Sequence, residues 1–430
     1  MKSLINLALV ILTAATLSGL NVHVALGQSI SGWRTDGTGR YPTAIPPINW
    51  STEKHVAWAT PMPSTSNSTP VIVGKRLFVN SDPTTLLCVR VSDGEILWHR
   101  DNDIKWIDPQ INDALPQAHG ANGHSTPTPV TDGQYVYVVF GNGVAASYDL
   151  HGNRHWIQHL GDPVHAWGHS SSPAMANGTL GVLIDDLIGL DIASGKEKWR
   201  VPSKQLWGTP IATQVGEVDV FITPSGQIVR ADNGEVLWHG LASLDYCSPV
   251  VSAGVVYFIE DQSVAYKLPD SLNGNPQELW FERIKQDRHY ASPLIHDGLI
   301  YTVSRGEFLT VLETKTGKTV YTQQLDLGGT NSNSVYPSVT LGGSHIYIAN
   351  ESGTTVVLEP GRHYREVYRN ELERHRSSPV FIGQRMYIRG MNHLYCIENP
   401  TQISLLDLSL IHISEPTRPR LISYAVFCLK

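Results

Sequence analysis

The sequence predicts an all-β fold: an eight-bladed β-propeller of four-stranded antiparallel blades, its ring closed by an N-terminal strand. Three observations carry this expectation. A Ser/Thr-Pro or Pro-Ser step recurs eight times, at Pro70, Pro127, Pro173, Pro210, Pro249, Pro293, Pro337 and Pro379, with intervals of 37 to 57 residues. An aromatic follows 26 to 31 residues after each of the first seven prolines, at Trp98, Trp156, Trp199, Trp238, Trp280, Tyr321 and Tyr368. Between the two, apolar residues alternate with period two. Repeats of roughly 40–45 residues with strand periodicity match the size of a propeller blade, and eight blades fall within the usual range of about 4–8.

Each element has a local reason. Val136, Val138 and Phe140 alternate with Tyr135, Tyr137 and Val139, and Val255, Tyr257 and Ile259 alternate with Val256 and Phe258. On a strand such alternation sends the two sets to opposite faces. The runs end at turn signals such as Asp132-Gly133, Ser194-Gly195, Asn233-Gly234 and Asp297-Gly298. Four strands per unit and no substantial helix follow. A single blade cannot bury both faces, so the recurring large aromatics are expected to fill the wedges between neighbours. After Pro379 the last unit lacks its closing aromatic, while His55-Val56-Ala57-Trp58-Ala59 stands unassigned before the first unit. Trp58 is therefore expected to serve as the eighth wedge, its strand pairing into the last blade and covering an otherwise open edge.

The ends and the composition set the context. Met1-Lys2, an uncharged apolar run from Leu4 to Leu20 and the step Ala25-Leu26-Gly27 read as a secretory signal peptide over residues 1–27. Export to the periplasm or the extracellular space is expected. No later hydrophobic stretch reaches the ~18 residues of a transmembrane span. Residues 28–54 form an N-terminal extension and 55–400 the propeller. The segment from Leu408 to Pro419 has no counterpart in any blade; it resembles translated sequencing-adapter read-through, so 401–430 is set apart as a tail outside the domain. A net charge of −7 with 17% charged residues and no basic stripe argue against nucleic acid. Cys88 and Cys396 occupy similar places in the first and last blades, so a disulfide between them is open; buried free thiols are the better reading, given the tight geometry a bridge requires.

Leu190-Asp191-Ile192-Ala193-Ser194-Gly195-Lys196-Glu197-Lys198-Trp199, Ala231–Trp238 and Val91–Trp98 resemble the repeats of the bacterial PQQ-like (pyrroloquinoline-quinone-type) β-propeller proteins. Trp33–Gly37, Asn49-Trp50-Ser51 and Ser125–Gly133 are similar to an exported, enzyme-lacking branch of that family. The resemblance, over about Trp33 to Asn399, implies one of two roles. In quinoprotein dehydrogenases the axis holds PQQ and Ca²⁺ beside a carboxylate base, metal-binding Glu and Asn and usually a vicinal Cys-Cys ring. This chain has no Cys-Cys pair and no Cys-x-x-Cys-His. The other role is the scaffold propeller of the outer-membrane β-barrel assembly machinery, which carries a lipidated Cys missing here. The expectation is a non-catalytic binding or assembly scaffold of the cell envelope, without cofactor, meeting a protein partner or a small ligand. A PQQ-dependent dehydrogenase acting on alcohols or sugars is the alternative, and a lyase or sugar-binding propeller a third reading.

The candidate site is positional. Residues three or four before each proline are expected at one mouth of the axial channel: Asn67, His124, His169, Trp207, Tyr246, His289 with Tyr290, and His375. Such a mouth could take a small anionic or sugar-like ligand, or a metal. The plainer reading has the imidazoles satisfying backbone groups at crowded strand starts, and no metal is assigned because a ring of blades spreads them too widely. His165–His169 and His119–His124 lie in loops that could face each other, without convincing ligand spacing. The long connection Asn102–Gly123, with Trp106, Ile111 and Leu115, could form a lid or a docking surface, or simply pack on itself. Asp185-Asp186 reads as a solvated turn.

Overall fold

The period-two pattern and the turn residues produce eight separate sheets, seen in the computed structural model, which describes residues 31–399 except 110–115, 117, 164, 166, 205–206, 285–286 and 329–333. The leader 1–27, the tail 401–430 with Cys428, and Ile111 and Leu115 lie outside the described residues. Blades 1 to 7 span 71–101, 130–159, 174–201, 211–238, 250–283, 294–324 and 340–371. Each runs strand to strand as an antiparallel meander, its first strand innermost. The one helical element among the described residues is a 3₁₀ turn at Ile104–Trp106.

Blade 8 is completed from the other end of the chain. Val56–Pro61 pairs antiparallel with His393–Glu398, placing Trp58 opposite Cys396 and Ala59 opposite Tyr395. The ring thus closes as the repeat arithmetic requires. Cys88 and Cys396 are buried free thiols, and burial pushes each up to about 12.

The wedge aromatics join each blade to the next. The indole N–H of Trp58 donates to Val91 O (3.2 Å), Trp98 to Leu150 O (3.2 Å), Trp156 to Ile192 O (2.9 Å), Trp199 to Ala231 O (3.1 Å) and Trp280 to Thr314 O (2.8 Å). Trp238 instead meets the Asn275 side chain at 3.3 Å. Tyr321 is half-buried against the core between blades 6 and 7, whereas Tyr368 is 39% exposed. The rings of Trp58, Trp98, Trp156, Trp199 and Trp280 each rest on a glycine of the next blade's outer turn. Gly195 has φ +70°, and a methyl there would lie 2.5 Å from Cδ2 of Trp156. Gly195→Ala is therefore expected to lower the melting temperature, because left-handed backbone costs a non-glycine residue about 1–2 kcal/mol and the indole must also move. An unchanged thermal melt would refute this docking.

The N-terminal extension has a structure that its sequence did not announce. Ser31 bridges Thr131 of blade 2, and Arg40–Tyr41 pairs in parallel with the inner strand of blade 7, Arg40 opposite Leu341. Blade 7 is therefore five-stranded. Between these anchors the chain spans the axial channel and plugs it. Arg34 is wholly buried in the plug and donates through Nη2 to Val339 O (2.7 Å) and Thr38 O (3.1 Å). Burial lowers its pKa to about 10. Further along, Trp50 is buried and stacks on Tyr347 at 6.1 Å.

Candidate functional site

Above the plug lies a cavity of about 280 Å³ on the propeller axis, with Trp33 among its lining residues. Its walls come from the approach to each inner strand. Inner strands begin directly after Pro70, Pro129, Pro173, Pro210, Pro249, Pro293, Val339 and Pro379. Two units therefore sit two residues out of the frame expected from the prolines. In blade 2 the equivalent of Pro173 is Pro129, not Pro127, and in blade 7 it is Val339, not Pro337.

In that corrected frame the alternation of extended backbone explains the lining. The residues one before the strand-leading position form a hydroxyl ring: Thr69, Thr128, Ser172 and Thr209 on one half, Ser248, Ser292, Ser338 and Ser378 on the other, all on the cavity wall. Each backbone N–H in this ring donates to the hydroxyl oxygen of its neighbour in the next blade, and Ser378 N–H donates to Thr69 Oγ1, so the cycle closes after eight bonds of 2.8 to 3.2 Å. The residues three before that position form the rim. Asn67, Thr126 and Ser170 come from blades 1 to 3, Trp207, Tyr246, Tyr290 and Tyr336 from blades 4 to 7, and Arg376 from blade 8.

The sequence-predicted residues separate along the same alternation. Asn67, Trp207, Tyr246 and Tyr290 line the cavity. His169, His289 and His375, four before the strand-leading position, turn the other way and are buried behind the wall at 3%, 1% and 0% exposure. His124 also lies off the cavity, its N–H donating to Asp82 Oδ1 at 3.0 Å. The expected ring of histidines at the mouth is therefore corrected: positions three and four cannot both face the axis on one extended segment. Burial lowers His169 and His289 to about 4 and lowers His375 as well, leaving neutral rings. No group of three or more His, Cys, Asp or Glu is placed to hold a metal among the described residues. Sequence reasoning missed the hydroxyl ring, Tyr336 and Arg376. The available signal was a Ser or Thr two residues before each of the eight inner strands.

Acidic side chains fix the loops that carry the rim. Glu260 accepts the backbone N–H of Asp245, Tyr246 and Cys247 at 2.9, 2.7 and 2.6 Å. Burial pushes its carboxyl up to about 7 although those three donors favour the charged form. Asp82 likewise accepts from His124 and Ser125. Glu351, almost wholly buried, is shared by Arg374 and Arg376. On the rim itself Trp207 stacks on Tyr246 (5.3 Å, 12°) and Tyr290 on Tyr336 (4.8 Å, 5°). The Arg376 guanidinium lies 3.9 Å over Tyr336, and that of Arg288 6.0 Å over Tyr246. The two histidine-bearing loops do meet: Asn122 Nδ2 donates to Trp167 O at 2.7 Å and His119 packs on the Trp167 ring at 4.0 Å. Ala121 and Asn122, at the end of the long connection, reach the cavity.

The family model described as outer membrane protein assembly factor BamB matches residues 106–323. The chain belongs to this BamB-type family. A search of the curated proteins finds no match. Among solved structures, BamB from Moraxella catarrhalis superimposes with a TM-score of 0.60 at 12% identity, covering 81% of this chain and 98% of that one. A europium-containing methanol dehydrogenase gives 0.59 at 11%, covering 84% and 90%. The quinohemoprotein alcohol dehydrogenase ADHIIG from Pseudomonas putida HK5 gives 0.55 at 11%, covering 88% and 80%. At such identities the likeness establishes a shared fold, and scaffold and dehydrogenase both occur on it. What distinguishes this BamB-type propeller must come from its own cavity.

Proposed function

We propose that the chain is an exported, non-catalytic propeller that serves as a binding or assembly scaffold in the cell envelope. One observation carries this reading: the axial cavity, where a dehydrogenase of the resembling family would hold PQQ and Ca²⁺, is lined by hydroxyls, amides, aromatic rings and two guanidiniums, with no Asp or Glu among the described lining residues. Ca²⁺ takes about 6–8 oxygen ligands and relies on carboxylates. Hydroxyl donors beside arginines make the opposite electrostatic environment, so the residues present do not fit the Ca²⁺ of that pair, and no catalytic step is derived through it. Membership of the BamB-type family supports a protein partner. The leader pattern at residues 1–27 supports export, and no helix among the described residues is long and apolar enough to cross a membrane.

Incubation of the purified protein with PQQ and Ca²⁺, followed by dye-linked oxidation assays over primary alcohols and aldoses, is the direct test. The expected result is dye reduction no faster than the protein-free blank. Substrate-dependent turnover that needs both additions would replace the scaffold with the dehydrogenase.

A further inference from the structure

We propose that the axial cavity is a binding site for an acidic sugar, a pyranose ring bearing a carboxylate. The inference goes beyond the scaffold reading and stands on the chemistry of the cavity wall. Each hydroxyl of the ring has one lone pair occupied by a neighbour's N–H, so towards the cavity it still offers its O–H and a second lone pair. Eight such groups converge on one space of about 280 Å³, just below the ~300–1,000 Å³ usual for small-molecule sites. A ligand of carbon alone would strip water from these hydroxyls and replace none of their hydrogen bonds. The occupant must therefore carry several hydroxyls itself.

The rim selects the rest of the ligand. Aromatic side chains form an arc over four consecutive blades, with Trp207 and Tyr246 stacked, Tyr290 and Tyr336 stacked, and the two pairs meeting edge to face at 4.8 Å. On the opposite arc the rim positions are polar, Asn67, Thr126 and Ser170, with Trp167 beside them. A pyranose has the same asymmetry, a face of C–H groups and a periphery of hydroxyls. Charge decides between neutral and acidic sugars. Arg288 has no ion pair among the described residues, since its neighbour Asp287 binds Arg305 at 2.6 Å. Arg376 is offset by Glu351 at 2.9 Å but shares it with Arg374. The cavity therefore has a surplus of positive charge, and a guanidinium is the natural partner of a carboxylate.

The test is calorimetric titration of the full chain, with no quinone and no Ca²⁺, using D-galacturonate and D-glucuronate against D-galactose, D-glucose and benzoate. At least one uronate is expected to bind saturably, with its neutral counterpart and benzoate weaker by about tenfold or more. Arg288→Gln is expected to weaken uronate binding about tenfold with an unchanged melting temperature, because this side chain is exposed. Trp207→Phe, which keeps an aromatic face, is expected to retain binding where Trp207→Ala loses it. Absence of binding by either uronate up to about 10 mM overturns the proposal. Equal binding of galactose removes the carboxylate requirement, and equal binding of benzoate removes the sugar; either result overturns it too. Because PQQ and Ca²⁺ are left out, this outcome is read separately from dye reduction.

Discussion

A chain truncated to start at Met62 is expected to lose the folded state, whereas one truncated to start at Lys54 is expected to keep it with a lower melting temperature. The difference lies in Val56–Pro61, the strand that pairs with His393–Glu398. Without it blade 8 has three strands and an open edge, and the wedge between blades 8 and 1 loses Trp58 with its bond to Val91 O. Trp58 is half-buried against the core, so its loss costs less than the roughly 3–5 kcal/mol of a fully buried aromatic, but the strand's ladder with His393–Glu398 goes with it, and a domain's whole stability is about 5–15 kcal/mol. Removal of the full strand is therefore expected to leave a chain that is mostly unfolded or aggregated at 25 °C. The Lys54 chain loses the plug with Arg34, the strand Arg40–Tyr41 added to blade 7 and the buried Trp50, while its ring still closes. Thermal denaturation followed by circular dichroism compares the two. If the Met62 chain melts as high as the Lys54 chain, closure by the N-terminal strand is not what holds the ring.

Acid is expected to destabilise the protein between about pH 6.5 and pH 4, through the imidazoles turned away from the cavity. His169 and His289 have folded pKa values near 4 because burial opposes their charging; in the unfolded chain they return to about 6.5. Over that window the unfolded state binds more protons, so stability falls as pH falls, by about 3 kcal/mol per histidine at the low end. Glu260 works in the opposite direction. Its folded pKa of about 7 lies above its unfolded value, so the folded state binds the extra proton from about pH 4.5 to 7, and acidification through that range favours folding. Two histidines outweigh one glutamate. Urea midpoints at pH 7, 5 and 4 are expected to decline in the parent, decline more steeply in Glu260→Gln and flatten in the double variant His169→Gln/His289→Gln. A double variant with the parent's slope would sink the assignment. Surface carboxylates held low by ion pairs, such as Asp93 and Asp232, lose their contribution at lower pH still, as it drops through their unfolded value and below.

The fold was legible because its signals are local. Alternation within Tyr135–Val139, the glycine turns and the spacing of Trp98, Trp156 and Trp199 each reflect a few neighbouring residues. Trp58 was legible as the eighth wedge because the last unit visibly ended after Leu394–Ile397 without the closing aromatic that the other units carry. The site was only half legible. Asn67, Trp207, Tyr246 and Tyr290 lie on the cavity, but His169, His289 and His375 do not, because the proline count treated positions three and four as one, and His124 does not because Pro127 set its frame two residues out. Pro127 and Pro337 misled by two residues each. The true frame is set by which N–H reaches which hydroxyl in the next blade, and that is a contact between residues some 40 positions apart.

Residue order by itself determined the all-β class, the number of blades and the closing strand, since a blade's strands need only short-range alternation and tight turns. Tertiary structure alone decided that Ser31–Tyr41 plugs the axis, that Arg34 is buried there, and that eight hydroxyls from eight blades form a closed hydrogen-bonded ring beneath an aromatic rim. These features arise where distant segments meet at the centre of the toroid, and direction across a channel leaves no periodic trace in a single strand.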